Sequence, residues 1–443
     1  MASTNKIEKK ADGAGPDQLT AAFGRQLSLA SRSIHADDYT NTHAAVAPPM
    51  HVSTTFRYPR NPDELVRWSE VDPKDWDDYY IYSREKSPNT ARYEAVLSSL
   101  LGGPVVSYAS GLAAFHAMIV FLNPRRVAIG GGYHGCHGVL RILHKLNGLE
   151  RLELEDEEGL AEKLRPGDVI HVETPLNPTG EARDLAYYRR LADERGCYLT
   201  VDATFAPPPL QDPFRHGADI VMHSGTKYFG GHSDLLSGVL AIRPDRALPG
   251  GEDGKSPGGG GAGWLAGLRE ERLLLGGVMG NFESWLGVRS LRTLELRVRR
   301  QSENAARLVG WLAEQIKEKQ AGEGNGNGNV VADVVRQIRH SSLQPEAADP
   351  DSWLSRQMPN GHGPVFALLL KSEEHARRLP SKLSLFHHAT SLGGVESLVE
   401  WRAMSDASVD RTLVRVSIGV EGWEDLRDDL LRGFQALSEE LKD

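Results

Sequence analysis

Two ionisable residues close apolar runs in this chain. Asp202 ends "YLTVD", and Lys227 follows the next run, "ADIVMHSGT", within "HSGTKYFGGHSD". A carboxylate at the end of a buried strand needs a cationic partner, because an unpaired buried charge is costly. A direct Asp–Lys ion pair is one reading. The other puts a cofactor between them, its pyridinium nitrogen facing Asp202 and its aldehyde carbon joined to Lys227 as a Schiff base. Pyridoxal 5'-phosphate requires that arrangement, with the acid keeping the ring protonated so that it accepts electrons. The phosphate would need N–H groups and hydroxyls. Ser110, Gly111 and Leu112 open a helical run, where unpaired N–H groups and the helix dipole favour an anion. Ser224 and Thr226 add hydroxyls beside the lysine, and Tyr133 is placed to lie flat on the ring.

These residues follow strand-like runs. "GPVVSYAS", "RVAIGGG", "DVIHVETP", "CYLTVDATF", "ADIVMHSGT" and "SGVLAIR" are short and apolar. Helical segments such as "GLAAFHAMIVFL", "HGVLRILHKL" and "AYYRRLADERG" alternate with the first of them. That alternation predicts an α/β fold with a mainly parallel sheet between helices. Ligands in such sheets sit beyond the carboxyl ends of the strands. Gly111, Tyr133, Glu173, Asp202, Thr204 and the Ser224–Lys227 segment all lie there. From about Asn281 the pattern changes to a long helical stretch, "ESWLGVRSLRTLELRVRRQSENAARLVGWLAEQIKEK", followed by the strands "PVFALLLK" and "LVRVSIGVE". The predicted organisation is an N-terminal arm over 1–62, a cofactor-binding large domain over 63–283 and a smaller α+β domain over 284–443. The start of the chain and two glycine-rich stretches, Pro249 to Gly263 and Gln320 to Asn329, read as mobile.

Composition narrows the function classes. The 443 residues carry a net charge of -9, which speaks against wholesale nucleic-acid or acidic-membrane binding. No apolar run is long enough to span a bilayer, and the N-terminus lacks a secretory apolar core. With Cys136 and Cys197 the only cysteines, a reducing, cytoplasmic setting is expected. His134 and His137 have no evident third ligand, so no metal is expected. Cys136 reads as a plain buried thiol, and His223 and His232 as structural. A nicotinamide-dependent dehydrogenase lacks its G-x-G-x-x-G turn here.

The ordered set "APPMHVSTTF", "SYASGLAAF", "ETPLNPTG", "VDATFAPP", "HSGTKYFGGHSD", "SLGGVESL" and "LVRVSIGVE" resembles the Cys/Met-metabolism family of pyridoxal-phosphate enzymes, the cystathionine γ-synthase and γ-lyase group. The likeness runs from about Pro48 to Gly422. It implies fold-type I with a seven-stranded, mainly parallel sheet. It also implies Lys227 as the Schiff-base lysine, Asp202 as the ring-nitrogen partner with Thr204 beside it, and Tyr133 as the stacking residue. Asn177 would lie near the cofactor's phenolic oxygen. Ser110, Gly111, Leu112, Ser224 and Thr226 would form the phosphate cup, while Tyr82 and Arg84 would reach the phosphate of a neighbouring subunit. Active sites would therefore be shared in a homotetramer. Arg415, aided by Ser391, would grip the substrate α-carboxylate, with Asn177 and Glu396 also on the substrate side.

The chain departs from the family in three places. "YSREKSPNT" is one residue longer than the family's Tyr-x-Arg-x-x-Asn-Pro-Thr and exchanges Pro88 and Asn89. Ala203 replaces an asparagine. "VEWRAMSDASVD" stands where a Pro-Ala-x-Met-Thr-His segment lines the substrate side. The resemblance implies γ-replacement on an O-acyl-L-homoserine through a vinylglycine-type species, with Lys227 as base and Tyr133 assisting. The nucleophile would be cysteine, another thiol or a carbon nucleophile. Elimination from cystathionine is the alternative within the family, and a non-catalytic cofactor-binding protein the alternative outside it.

Overall fold

The structure, a computed structural model, describes residues 16–40, 45–67, 70, 80–247, 263–320 and 329–441. Apart from their edges, the three stretches expected to be mobile lie outside the described residues. Pro16–Phe23 is a helix with no buried residue. The chain forms two compact units, one drawn from Met1–Phe121 and Leu235–Thr293, the other from Leu122–Asp234 and Leu294–Asp443.

The strands, in chain order, are β1 (Val105–Tyr108), β2 (Arg126–Ile129), β3 (Glu150–Glu153), β4 (Val169–Glu173), β5 (Tyr198–Asp202), β6 (Ile220–Ser224), β7 (Gly238–Ile242), β8 (Val335–Arg339), β9 (Val365–Leu370), β10 (His387–His388), β11 (Leu398–Trp401) and β12 (Leu413–Ser417). All seven strands of the expected mainly parallel sheet are found among β1–β7. In the second unit β6, β5, β4, β2 and β3 lie side by side in that order, every pair parallel. The runs "VIHVE", "YLTVD" and "IVMHS" are β-branched, apolar and almost wholly buried, as parallel strands covered on both faces require. β3, "ERLE", was not legible as a strand. It lies at the sheet's edge with a largely exposed surface, so it needs no apolar run. Helices His134–Asn147 and Leu185–Arg195 make crossovers between these strands. The second begins where Asp184 accepts the Ala186 N–H at 2.9 Å and ends at Gly196 in the left-handed conformation.

The C-terminal part of this unit is a separate sheet ordered β10-β11-β12-β9-β8. Phe366, Leu368, Val399, Val414 and Val416 from it form one buried core with Leu308 and Leu312 of helix Leu294–Gln320 and Leu430 and Phe434 of helix Trp423–Glu440. The long helical stretch of the sequence is in fact two helices, Asn281–Leu291 and Leu294–Gln320. At the break the Thr293 hydroxyl donates to the Ser290 carbonyl at 3.3 Å, a local bond that competes with the helical ladder.

In the first unit β1 pairs antiparallel with β7. Helix Pro88–Leu101 explains the altered "KSPNT" segment. Ser87 caps the helix by accepting the Thr90 N–H at 3.2 Å, and Pro88 takes a first-turn position where its missing N–H costs nothing. Asn89 is then free to accept the His51 N–H at 2.8 Å and donate to the Pro49 carbonyl at 2.9 Å, tying the N-terminal segment to the helix.

Candidate active site

Glu173, Asp202 and Ser224 are the last residues of the adjacent strands β4, β5 and β6. Glu173 and Asp202 are register partners. Asp202 is buried. The Thr204 N–H and hydroxyl both donate to its Oδ1, at 3.0 and 2.6 Å. The same Thr204 oxygen accepts the Ser224 N–H at 2.8 Å, which fixes the two strand ends together. Oδ2 of Asp202 has no hydrogen bond among the described residues.

Glu173 does more than its place in "ETPLNPTG" suggested. Its Oε2 accepts the Tyr133 N–H at 2.8 Å and its Oε1 the Asn177 N–H at 2.7 Å. One carboxyl therefore positions two of the expected site residues. Gly132 is required beside it: φ is +145°, and a Cβ would stand 2.4 Å from Glu173 Oε2. Two buried carboxyls on neighbouring strands cannot both ionise cheaply. Burial, and then the charge of Asp202, pushes Glu173 up to about 8. Burial also raises Asp202, but the Thr204 donors and Lys227 pull it back. Of the pair, Asp202 has the environment that better supports the charged form, with two donors on Oδ1 and Lys227 nearby.

Lys227 follows β6 in a tight turn, its N–H donating to the Ser224 carbonyl at 3.1 Å. Its Nζ makes one hydrogen bond among the described residues, to Ser391 Oγ at 2.9 Å. Burial, with the positive charge of Arg415, lowers the amine to about 8, while Glu400 and Asp202 act in the opposite sense. The loop bearing Ser391 approaches closely. Gly393 has φ +81°, and a Cβ there would lie 2.9 Å from the Tyr228 nitrogen and 3.0 Å from the Lys227 carbonyl carbon.

Arg415 is buried on β12. Its Nη1 donates to Asn177 Oδ1 at 3.2 Å, and its Nη2 to the Ser391 carbonyl at 2.8 Å. Lys227, Ser391, Arg415 and Asn177 are therefore one connected group. What the sequence reading missed is the partner of the guanidinium: Glu400 Oε2 lies 2.6 Å from Arg415 Nη2. Glu400 in turn meets Arg402, whose Nη2 lies 3.5 Å from His134 Nδ1. The signal was in the sequence, since Glu400 and Arg402 belong to the departing segment "VEWRAMSDASVD".

Other expected residues lie elsewhere. Tyr133, 37% exposed, precedes helix His134–Asn147 with its ring 5.1 Å from that of His134. Glu396 hydrogen-bonds the Ser233 hydroxyl, and no contact joins it to Arg415 or Lys227 among the described residues. Thr226 is half-buried. Ser110, Gly111, Leu112, Tyr82 and Arg84 belong to the first unit. There Ser110 Oγ accepts the Ala113 N–H at 3.1 Å at the start of helix Gly111–Leu122. Arg84 donates to the Leu273 carbonyl at 2.9 Å and stacks 5.5 Å from the exposed Tyr82 ring. His223 is buried against Phe229, with a pKa lowered to about 3 by burial. His232 bonds the Gly230 carbonyl at 2.9 Å. Burial raises the Cys136 thiol. The described residues contain no cluster of metal-ligating side chains.

The donor set fits pyridoxal phosphate. Asp202 offers an uncommitted buried carboxylate oxygen to a protonated ring nitrogen, and Lys227 an amine whose proton is weakly held. Known proteins point the same way. The family model described as "Cys/Met metabolism PLP-dependent enzyme" matches residues 30–435. The chain is 31% identical to the cystathionine gamma-synthase of Escherichia coli (strain K12) over 437 residues, 93% of this chain and 98% of that one. It is also 31% identical to the cystathionine gamma-lyase of Bacillus subtilis (strain 168), over 87% of this chain and 93% of that one. Among solved structures, cystathionine gamma synthase from Xanthomonas oryzae pv. oryzae, in complex with aminoacrylate and cysteine, superposes with a TM-score of 0.74 at 26% identity. That match covers 93% of this chain and 99% of the other.

Proposed function

The chain belongs to the Cys/Met-metabolism family of pyridoxal-phosphate-dependent enzymes, and from that premise we propose that it catalyses γ-replacement on an O-acyl-L-homoserine, in the manner of a cystathionine γ-synthase. The observation that carries the reading is the join made by Ser391: its hydroxyl receives Lys227 Nζ at 2.9 Å and its carbonyl receives Arg415 Nη2 at 2.8 Å. An amino acid whose carboxylate is held by Arg415 would present its α-carbon to the one buried amine of the group.

Pyridoxal phosphate supplies an electron sink for the bond electrons released at Cα. The chain's residues do the rest. Asp202 keeps the ring nitrogen protonated, and Thr204 holds that carboxylate in place. Tyr133 would pack on the ring and assist departure of the γ-substituent. Asn177 would lie beside the ring's phenolic oxygen. Ser224 and Thr226 would offer hydroxyls to the phosphate, with Tyr82 and Arg84 contributed by a neighbouring copy in a homotetramer. Lys227 removes the proton from Cα, then one from Cβ, and can return either. Arg415 fixes the α-carboxylate as a planar fork. In this reading residues 63–283 bind the cofactor, and 284–443 supply Ser391, Glu396 and Arg415 on the substrate side. A cytoplasmic setting accords with the two free, buried cysteines, and no helix among the described residues is long and apolar enough to cross a membrane.

Elimination is the second reading, favoured by the equal identity to the lyase relative. Incubating the holoenzyme with O-acetyl- or O-succinyl-L-homoserine, with and without cysteine, and separately with cystathionine, distinguishes them by mass spectrometry. Cystathionine formed from either ester and cysteine supports replacement. A 2-oxo acid released from cystathionine, with no thioether product, supports elimination.

A further inference from the structure

Where the family carries its Pro-Ala-x-Met-Thr-His segment, this chain carries buried charge. Glu400 on β11 is the register partner of Arg415 on β12. Its Oε2 lies 2.6 Å from Arg415 Nη2. Arg402 Nη1 lies 3.3 and 3.2 Å from the two Glu400 oxygens, and Ser405 Oγ donates to Oε1 at 2.6 Å. The side chains of Arg402, Arg415 and Glu400 are 3, 4 and 5% exposed.

We propose that Glu400 is a built-in competitor for the guanidinium of Arg415, held in reserve by Arg402 and Ser405, and that this acid sets the enzyme's affinity for the substrate carboxylate. The inference rests on the proposed role of Arg415. A guanidinium has five N–H donors, two on each Nη. One on Nη2 goes to the Ser391 carbonyl and one on Nη1 to Asn177, and Nη2 also stands in a close ion pair with Glu400. An end-on carboxylate fork takes one hydrogen from each Nη. The incoming carboxylate must therefore pair with an Nη2 that already serves the Ser391 carbonyl and faces a second negative charge. Glu400 is the partner able to give way, because Arg402 already spans both its oxygens. Each binding event then exchanges one buried ion pair for another, and affinity is lower than an unopposed arginine would give. Arg402 is a positioning residue: it draws Glu400 away from Arg415.

The test uses the holoenzyme with O-acetyl- and O-succinyl-L-homoserine as substrates and acetate as a competing carboxylate. Glu400→Gln keeps the shape and removes the charge. KM and the acetate inhibition constant should both fall about tenfold once the opposing charge is removed, while kcat changes much less. Arg402→Gln removes the opposing arginine from Glu400, leaving only Ser405 to hold it back from Arg415, and should raise both constants, so a poorly folding Glu400→Gln protein does not stop the test. A raised or unchanged KM in Glu400→Gln, or a lowered or unchanged one in Arg402→Gln, overturns the proposal. Arg415→Met separates the two levels of argument. If it leaves KM and acetate inhibition unaltered, the assignment of Arg415 itself fails. If it raises both while Glu400→Gln lowers neither, only the competitor role fails.

Discussion

Lys227 donates its ε-amine to the hydroxyl of Ser391 at 2.9 Å, across from a loop residue whose own φ is +80°. A non-glycine residue in the left-handed region needs surrounding structure to hold it there. Here the Ser391 carbonyl is held by Arg415. The hydroxyl is thereby set against the amine that the proposed chemistry uses.

Removing that hydroxyl should therefore lower turnover without unfolding the protein. Ser391→Gly suits the backbone and deletes the side chain. A lost hydrogen bond of about 1 kcal/mol corresponds to a fall in kcat/KM of roughly fivefold. Steady-state kinetics with thermal unfolding as control checks it. A Tm that drops with activity unchanged per folded molecule would contradict the role.

The lowered Lys227 amine makes a pH prediction. Burial and Arg415 disfavour the ammonium, so the amine is free above about 8, where an ordinary lysine is still protonated. Cofactor uptake by the apoprotein needs the free amine, so its rate should rise with pH around that midpoint. Glu400 is among the charges that raise the value, so Glu400→Gln should move the midpoint down. Stopped-flow absorbance against pH measures both. A midpoint near 10 in the unaltered protein would contradict the environment described.

Thr204→Val should disturb Asp202 while leaving Lys227 in place. It deletes the hydroxyl donor to Oδ1 and, with it, the acceptor of the Ser224 N–H. Hydrogen bonds to the charged form keep a carboxylate's pKa down, so losing one raises Asp202 further. The acid limb of the pH–activity profile should shift to higher pH, and cofactor should be lost more readily on dialysis. An unshifted acid limb would mean that the hydroxyl does not hold Asp202 ionised.

Much of this site was legible in the sequence because its parts end apolar strands. Asp202, Ser224 and Lys227 could be placed by the rule that parallel sheets offer their carboxyl ends to ligands. Their company of glycines and hydroxyls then narrowed the chemistry. The edge strand β3 was not legible, since exposure removes the hydrophobic signal. Nor was the break before Leu294, where the Thr293 N–H and hydroxyl both bond the Ser290 carbonyl. Glu400 and Arg402 were visible only as a departure. Nothing in "VEWRAM" says that the acid will face Arg415 until β11 and β12 are paired in register. The double use of Glu173 was hidden for the same reason, because its two N–H donors come from separate loops.

Gly393→Ala tests how closely the Ser391 loop approaches the lysine. A left-handed φ costs an alanine about 1–2 kcal/mol, and the added carbon meets the Lys227 and Tyr228 backbone. Stability should fall by at least that amount in urea unfolding, and kcat should fall with it. A neutral substitution would mean the loop does not sit against Lys227.

The covalent attachment of the cofactor is the most direct measurement. The pyridoxal-phosphate-loaded protein is reduced with borohydride, digested and mapped by mass spectrometry, alongside Lys227→Ala. The account predicts a single labelled peptide bearing the cofactor on Lys227, and no label and no turnover in the variant. A label on another lysine, or turnover that survives the loss of Lys227, would contradict it.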